Sequence, residues 1–144
     1  MTRLFLDANV LFTAAHNPDG RAAFLLELGR EGHWVCLTSA LAIEEARRNL
    51  ARKYPACLER FEVSLSGLEL VPDHPAEACP LALADKDRPI FAAALKAAAS
   101  HLLTGDRRHF GVWMNRPEET GGILLQTVGE FFASLHEKEP SPSA

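Results

Sequence analysis

The sequence predicts an α/β fold, a three-layer α/β/α sandwich around a central, mostly parallel five-stranded sheet. Short apolar runs of strand length alternate with helical stretches along the whole chain, the pattern of parallel strands joined by right-handed crossovers. One helical stretch, rich in alanine, is apolar nearly all round and must be buried, its small side chains allowing close approach to a sheet. No repeat and no linker divides the chain.

The first strand is Arg3 to Leu6, cut off by Asp7-Ala8-Asn9, and Val10-Leu11-Phe12 begins a helix. Asn17-Pro18-Asp19-Gly20 signals a turn, with Asp19 placed to cap a helix through Arg30 that turns Ala23, Leu26 and Leu28 inward. Trp34 to Leu37 forms the second strand. Thr38-Ser39 supplies an N-cap for a helix from Ala40 to Tyr54, which Pro55 stops, and a further helix runs from Ala56 to about Leu65. Leu68 to Val71 is the third strand, closed by Pro72. Pro75 to Ala84 shows no clear period. Asp85-Lys86-Asp87-Arg88-Pro89 opens the alanine-rich helix, expected to reach Ser100, and His101 to Thr104 is the fourth strand. Ile123 to Gln126 is the fifth, followed by a last helix from about Val128 to Glu137. These elements form a single domain over 1–138, and the Pro/Ser-rich tail 139–144 is expected to be disordered.

The 144 residues, 47% of them apolar, suffice for one hydrophobic core. No apolar run reaches the roughly 18 residues of a membrane helix, and Asp7 interrupts the first run too early for a signal peptide. The chain is therefore read as cytoplasmic, with no membrane partner. Cys36, Cys57 and Cys79, odd in number and widely spaced, suit neither a disulfide framework nor a zinc knuckle and are read as reduced thiols. The net charge of −4 speaks against a dedicated duplex-DNA binder, but two divalent cations held by clustered acids would cancel it.

In open parallel sheets, ligands bind beyond the carboxyl ends of the strands where the strand order reverses. Asp7 follows the first strand directly, and Asp106 lies two residues past Thr104 at the end of the fourth. Glu44 and Glu45 sit one turn into the helix after the second strand; Asp85 and Asp87 stand at the mouth of the alanine-rich helix. Each acid has a plainer explanation. Asp7 and Asp87 suit N-caps, Asp106 a turn, and the glutamates a solvated helix face. Convergence on one sheet edge argues for more. Two unit charges 4 Å apart repel by roughly 4 kcal/mol at an effective dielectric of 20, so several carboxylates in one crevice must share protons or bind cations. Oxygen donors without His or Cys spacing favour Mg²⁺ or Mn²⁺ over zinc, and such ions act on phosphates.

Four segments together carry a resemblance. Leu4-Phe5-Leu6-Asp7-Ala8-Asn9-Val10-Leu11, Ser39 with Glu45-Ala46-Arg47-Arg48-Asn49-Leu50, Asp87-Arg88-Pro89-Ile90 with the apolar run behind it, and Leu102-Leu103-Thr104-Gly105-Asp106 resemble the successive motifs of PIN domains. These are Mg²⁺/Mn²⁺-dependent nucleases, mostly of RNA, and include the VapC-type toxins of toxin–antitoxin pairs. The resemblance spans residues 3 to 132, and is weakest over 51–84 and 110–122. It implies metal-binding and catalytic roles for Asp7, Glu45, Asp87 and Asp106, with Asn9 and Thr104 as polar support on the substrate side. It selects Glu45 over Glu44 and Asp87 over Asp85, choices the helix periodicity leaves open. It further implies hydrolysis of RNA phosphodiesters by a metal-activated water, leaving 5′-phosphate and 3′-hydroxyl ends, an antitoxin protein as partner, and a homodimer.

Around these acids, Glu44 to Arg60 holds five bases against three acids, and Arg107-Arg108-His109 follows Asp106 at once. A basic rim around an acidic centre suits a phosphodiester strand, and Arg107 and Arg108 are the bases expected to bind substrate. Arg47, Arg52 and Lys53 fit a solvated helix face equally well. Of six histidines only His109 is placed to join a metal site. Trp34 and the phenylalanines read as core, with base stacking the alternative for Phe110 and Trp113 in the loop after the fourth strand. The competing class is a PIN-like module that binds RNA or protein without cutting. A phosphatase with an aspartyl nucleophile after the first strand is excluded, because the acid it needs two residues later is Asn9.

Overall fold

The computed structural model describes residues 1–138, with side chains through residue 136. Its five strands are β1 (Arg3–Leu6), β2 (Val35–Ser39), β3 (Glu69–Val71), β4 (His101–Leu103) and β5 (Leu124–Gln126), in the order β3-β2-β1-β4-β5. Every pairing is parallel, so the sheet is wholly rather than mostly so. β1 connects outward to β2 on one side and receives β4 on the other, which makes β1/β4 the point where strand order reverses. The expected tail, 139–144, lies outside the described residues. Among the described residues no helix is long and apolar enough to cross a membrane.

The helices are α1 (Ala8–His16), α2 (Arg21–Arg30), α3 (Ala40–Lys53), α4 (Leu58–Ser64), α5 (Arg88–Lys96), α6 (Arg107–Phe110) and α7 (Val128–Lys138). α1 packs on α2, α3 and α4, and α7 packs on α2; α5 covers the opposite face against β2 and β4. Leu4, Phe5, Leu6, Leu37, Leu102 and Leu103 are fully buried between these layers, as strands covered on both faces require.

Several boundaries differ from the sequence expectation, each for a local reason. α1 begins at Ala8 rather than Val10, because the Asp7 side chain accepts the Ala8 N–H and caps it at once. Gly20, not Asp19, caps α2, with no side-chain bond; Leu26 is buried as expected, joined by Ala22 and Leu25, while Ala23 and Leu28 are only partly buried. β2 starts and ends later than Trp34–Leu37. Trp34 packs edge-on against Phe131 and donates its indole N–H to Leu25 O, 3.1 Å away. Pro55 opens a 3-10 turn, which shortens α4 to a core of seven residues around buried Phe61. Within the segment lacking a period, Ala76–Ala78 forms another 3-10 turn packed on α5. α5 stops at Lys96 instead of Ser100, since Ala98 adopts φ 57° and the Ala98 and Ala99 N–H groups bond back to Leu95 O and Ala94 O. That paired closure is the usual helix stop, made here by alanine where glycine is customary.

The three cysteines are free, Cys36 and Cys79 being buried. Burial pushes the Cys36 thiol up to about 12, so it stays protonated and serves as packing.

Candidate active site

The end of β1 and the end of β4 are stitched together by one small network. The Asp7 N–H donates to Leu103 O at 3.1 Å, continuing the β1/β4 ladder by one residue, so Asp7 leaves the sheet edge at a set angle. Its Oδ1 accepts the Ala8 N–H at 2.8 Å; its Oδ2 accepts the Thr104 hydroxyl at 2.8 Å and the Asn9 amide at 3.2 Å. Thr104, fully buried, also accepts the Asp106 N–H at 3.0 Å and the Asn9 amide at 3.2 Å. Asn9 Oδ1 in turn accepts the Gly105 N–H at 2.7 Å. Asn9 and Thr104 thus tie Asp7 to the loop carrying Asp106.

The other two acids reach the same place from the helices. Ser39 caps α3 by accepting the Ala42 N–H, and just past the first turn Glu45 faces a cleft of about 240 Å³ while Glu44 stays exposed on the flank. Asp87 stands at the N-terminus of α5 yet makes no capping bond. Its carboxyl is turned inward, only 5% exposed, whereas Asp85 is exposed. Asp7, Asn9, Glu45, Asp87 and Asp106 all line this cleft, with Phe12, Asn49, Lys53 and Lys86 beside them. A larger hollow of about 890 Å³ adjoins it through Asn9 and Asp106, but Glu45 and Asp87 do not reach it.

The electrostatics show how much the crowding costs. Burial pushes the Asp7 carboxyl up to about 6, against the bonds from Thr104 and Ala8 that lower it, and the charges of Glu45 and Asp87 raise it further. Burial likewise raises Asp87, opposed by His109 and Lys86. For Asp106 burial also raises, but the His109 N–H, ring and charge outweigh it, so the carboxyl stays below its ordinary value. His109 is the connecting group: its Nδ1 lies 2.6 Å from Asp106 Oδ2 and 3.3 Å from Asp87 Oδ2. The short contact pairs that nitrogen with Asp106, and Asp87 Oδ2 is left buried without a hydrogen-bond partner. One donor atom each from Asp87, Asp106 and His109 lies within 4.8 Å of the others, a grouping able to hold a metal ion. An orphaned carboxylate oxygen beside three further acids is a donor set suited to a hard divalent cation.

The expected basic rim is arranged differently. Arg107 and Arg108 are exposed on α6 and do not line the acidic cleft; Arg107 Nη2 lies 4.0 Å from Glu130 Oε1. Arg47 is turned to Glu62, with Nε 2.6 Å from Oε1, and Arg52 bonds Asn49, as a solvated helix face would have it. The bases at the cleft are Lys53 and Lys86. The signal for Lys86 in the sequence is its place between Asp85 and Asp87. Phe110 is fully buried and offers no face to a base, and Trp113 is half-buried against the core.

No curated protein matches the chain by sequence. Among solved structures it is similar to VapBC2 from Rickettsia felis bound to a DNA fragment from its promoter, at 16% identity and TM-score 0.63 over 88% of this chain and 98% of that one. It is also similar to PAE2754 from Pyrobaculum aerophilum, at 20% identity and TM-score 0.61 over 95% and 91% of the two chains. A third is VapC20 from Mycobacterium tuberculosis, a Sarcin-Ricin loop cleaving toxin, at 13% identity and TM-score 0.54 over 76% and 94%. These likenesses establish a shared fold. The family description "PIN domain" matches residues 3–108, a stretch that includes Asp7, Glu45, Asp87 and Asp106 and the sheet edge between them. With well over half its length so matched, the chain belongs to the PIN-domain family.

Proposed function

We propose that the chain is a cytoplasmic, Mg²⁺- or Mn²⁺-dependent endoribonuclease and the toxin of a toxin–antitoxin pair. The observation that carries this reading is the arrival of Asp7, Glu45, Asp87 and Asp106 in one cleft from four separate segments, with Asp87 Oδ2 buried and without a hydrogen-bond partner. PIN domains are generally divalent-metal dependent, and the cluster here fits that requirement. VapC20 is a Sarcin-Ricin loop cleaving toxin and VapBC2 is a VapBC assembly on promoter DNA, which supports a toxin that cuts RNA and has an antitoxin protein as partner. A homodimer, with the site in each copy, completes the reading.

In this role Asp7, Glu45, Asp87 and Asp106 would hold the ion or ions, and His109 adds a nitrogen donor beside Asp87 and Asp106. When bound, a divalent ion supplies an acidified water and neutralises charge developing on the phosphate. Thr104 and Asn9 hold the Asp7 carboxylate in one orientation. Lys53 and Lys86 border the cleft and place positive charge where the strand's backbone would pass.

Labelled RNA incubated with Mn²⁺ is expected to be cut, and excess chelator to stop the cutting. Asp7→Asn retains an oxygen to accept the Ala8 N–H and is expected to be folded, with activity reduced at least about a hundredfold, as when charge stabilisation of the transition state is lost. Equal cleavage by the variant and the wild type would remove Asp7 from the mechanism.

A further inference from the structure

Beside the acidic cleft lies a group of rings that the chemistry above does not use. Phe12 and His16 stand one turn apart on α1, and Tyr54 follows the last turn of α3, where Pro55 ends the helix. The Tyr54 ring is stacked on the His16 imidazole, with centroids 3.8 Å apart and planes 14° from parallel. Phe12 lies 6.0 Å from His16 and 5.8 Å from Tyr54. Both members of the stack are exposed, Tyr54 to 40%, so this flat surface contributes little to the core.

Its position and charge select the occupant. Phe12 and Lys53 line the acidic cleft itself, and the Lys53 ammonium lies 5.8 Å above the Phe12 ring. Arg60 donates to the backbone O of Ala15, the residue before His16, at 2.6 Å. Rings that carry a lysine ammonium and are continuous with a cluster of acids suit a strand that is flat and apolar in its bases and anionic along its backbone. An amphipathic protein helix would want an apolar stripe, yet Thr13 and Asn17, the exposed neighbours on α1, are polar. A duplex keeps its bases paired and stacked inward, whereas an unpaired strand can lay a base on an aromatic face.

We propose that the Tyr54–His16 stack is a ledge for an unpaired base of the RNA strand whose backbone runs through the acidic cleft. This rests on the ribonuclease reading and adds to it a base contact outside the acidic cleft.

The test uses the full chain in chelator, so that binding is read without cleavage. Fluorescence anisotropy compares a labelled oligoadenylate with the same sugar–phosphate backbone lacking bases. The wild type is expected to prefer the oligoadenylate. Tyr54→Ala should weaken oligoadenylate binding about tenfold, the effect of losing one base–aromatic stack, and leave the abasic strand unaffected. Tyr54→Phe, which keeps the ring, should bind as the wild type does; His16→Ala serves if Tyr54→Ala proves unstable on melting. The ledge is overturned if the wild type shows no preference for bases, or if both alanine variants bind oligoadenylate unchanged. Cleavage by the wild type with Mn²⁺, measured separately, decides the ribonuclease reading whichever way the ledge falls.

Discussion

Asp7 combines two jobs that usually belong to different residues. One oxygen caps α1, the other is held by Thr104 and Asn9, and the group is 5% exposed. Its carboxyl therefore keeps a proton in the folded protein between pH 3.8 and about 6, where the unfolded chain has lost it. The folded state binds more protons in that window, so metal-free stability must fall as pH rises through it and level off above. A rise of this size corresponds to roughly 3 kcal/mol at most. Asp87 acts in the same direction and Asp106 in the opposite one. Urea unfolding in chelator is expected to show the wild type losing stability from about pH 4 to about pH 7, and Asp7→Asn losing markedly less. An unchanged pH slope in the variant would mean that Asp7 is ionised throughout. The capping role of Asp7 was legible in the sequence, as was its place at the strand end. That Asp87 forgoes capping and turns inward was not, because both conformations satisfy the same local pattern.

At the scale of elements, α5 shows where periodicity misleads. The run Ala92-Ala93-Ala94 followed by Ala97-Ala98-Ala99 reads as one continuous helix, since alanine has the highest helix propensity. The chain stops it at Lys96 because Ser100 must reach the sheet, where its N–H donates to Arg3 O at 2.8 Å and its hydroxyl accepts the Arg3 N–H at 2.9 Å. Ala98 absorbs the reversal in a left-handed conformation that costs an L-residue about 1 kcal/mol. Ala98→Gly is therefore expected to raise stability by about 0.5–1 kcal/mol in urea unfolding, opposite to the loss that glycine causes inside a helix. Destabilisation would show that the α5 stop is not under strain. The shift of the buried stripe in α2, which keeps Leu26 but adds Ala22 and Leu25, has a similar origin. Contacts with α1 and α7 set the helix's rotation, and neither is visible in the local pattern.

For the molecule as a whole, the order β3-β2-β1-β4-β5 puts the ends of β1 and β4 side by side and lets residues nearly a hundred positions apart share a hydroxyl. Such a cluster is poised against itself until cations arrive. Binding to the folded state alone, Mn²⁺ is expected to stabilise it by about 2.7 kcal/mol when the ion is a hundredfold above its dissociation constant, read as a higher melting temperature. The rise should shrink in Asp87→Asn and in Asp106→Asn. No thermal shift at millimolar Mn²⁺ would count against the cleft as a metal centre.

The alternation of strands and helices, the buried character of the alanine-rich helix and the acids at the strand ends are properties of local sequence, because burial pattern and turn chemistry act over a few residues. Which glutamate faces the cleft, which lysines border it, the pairing of His109 with two aspartates and the stacking of Tyr54 on His16 depend on helix rotation and on contacts between distant segments. Those are set by packing across the three layers, and only the tertiary structure decides them.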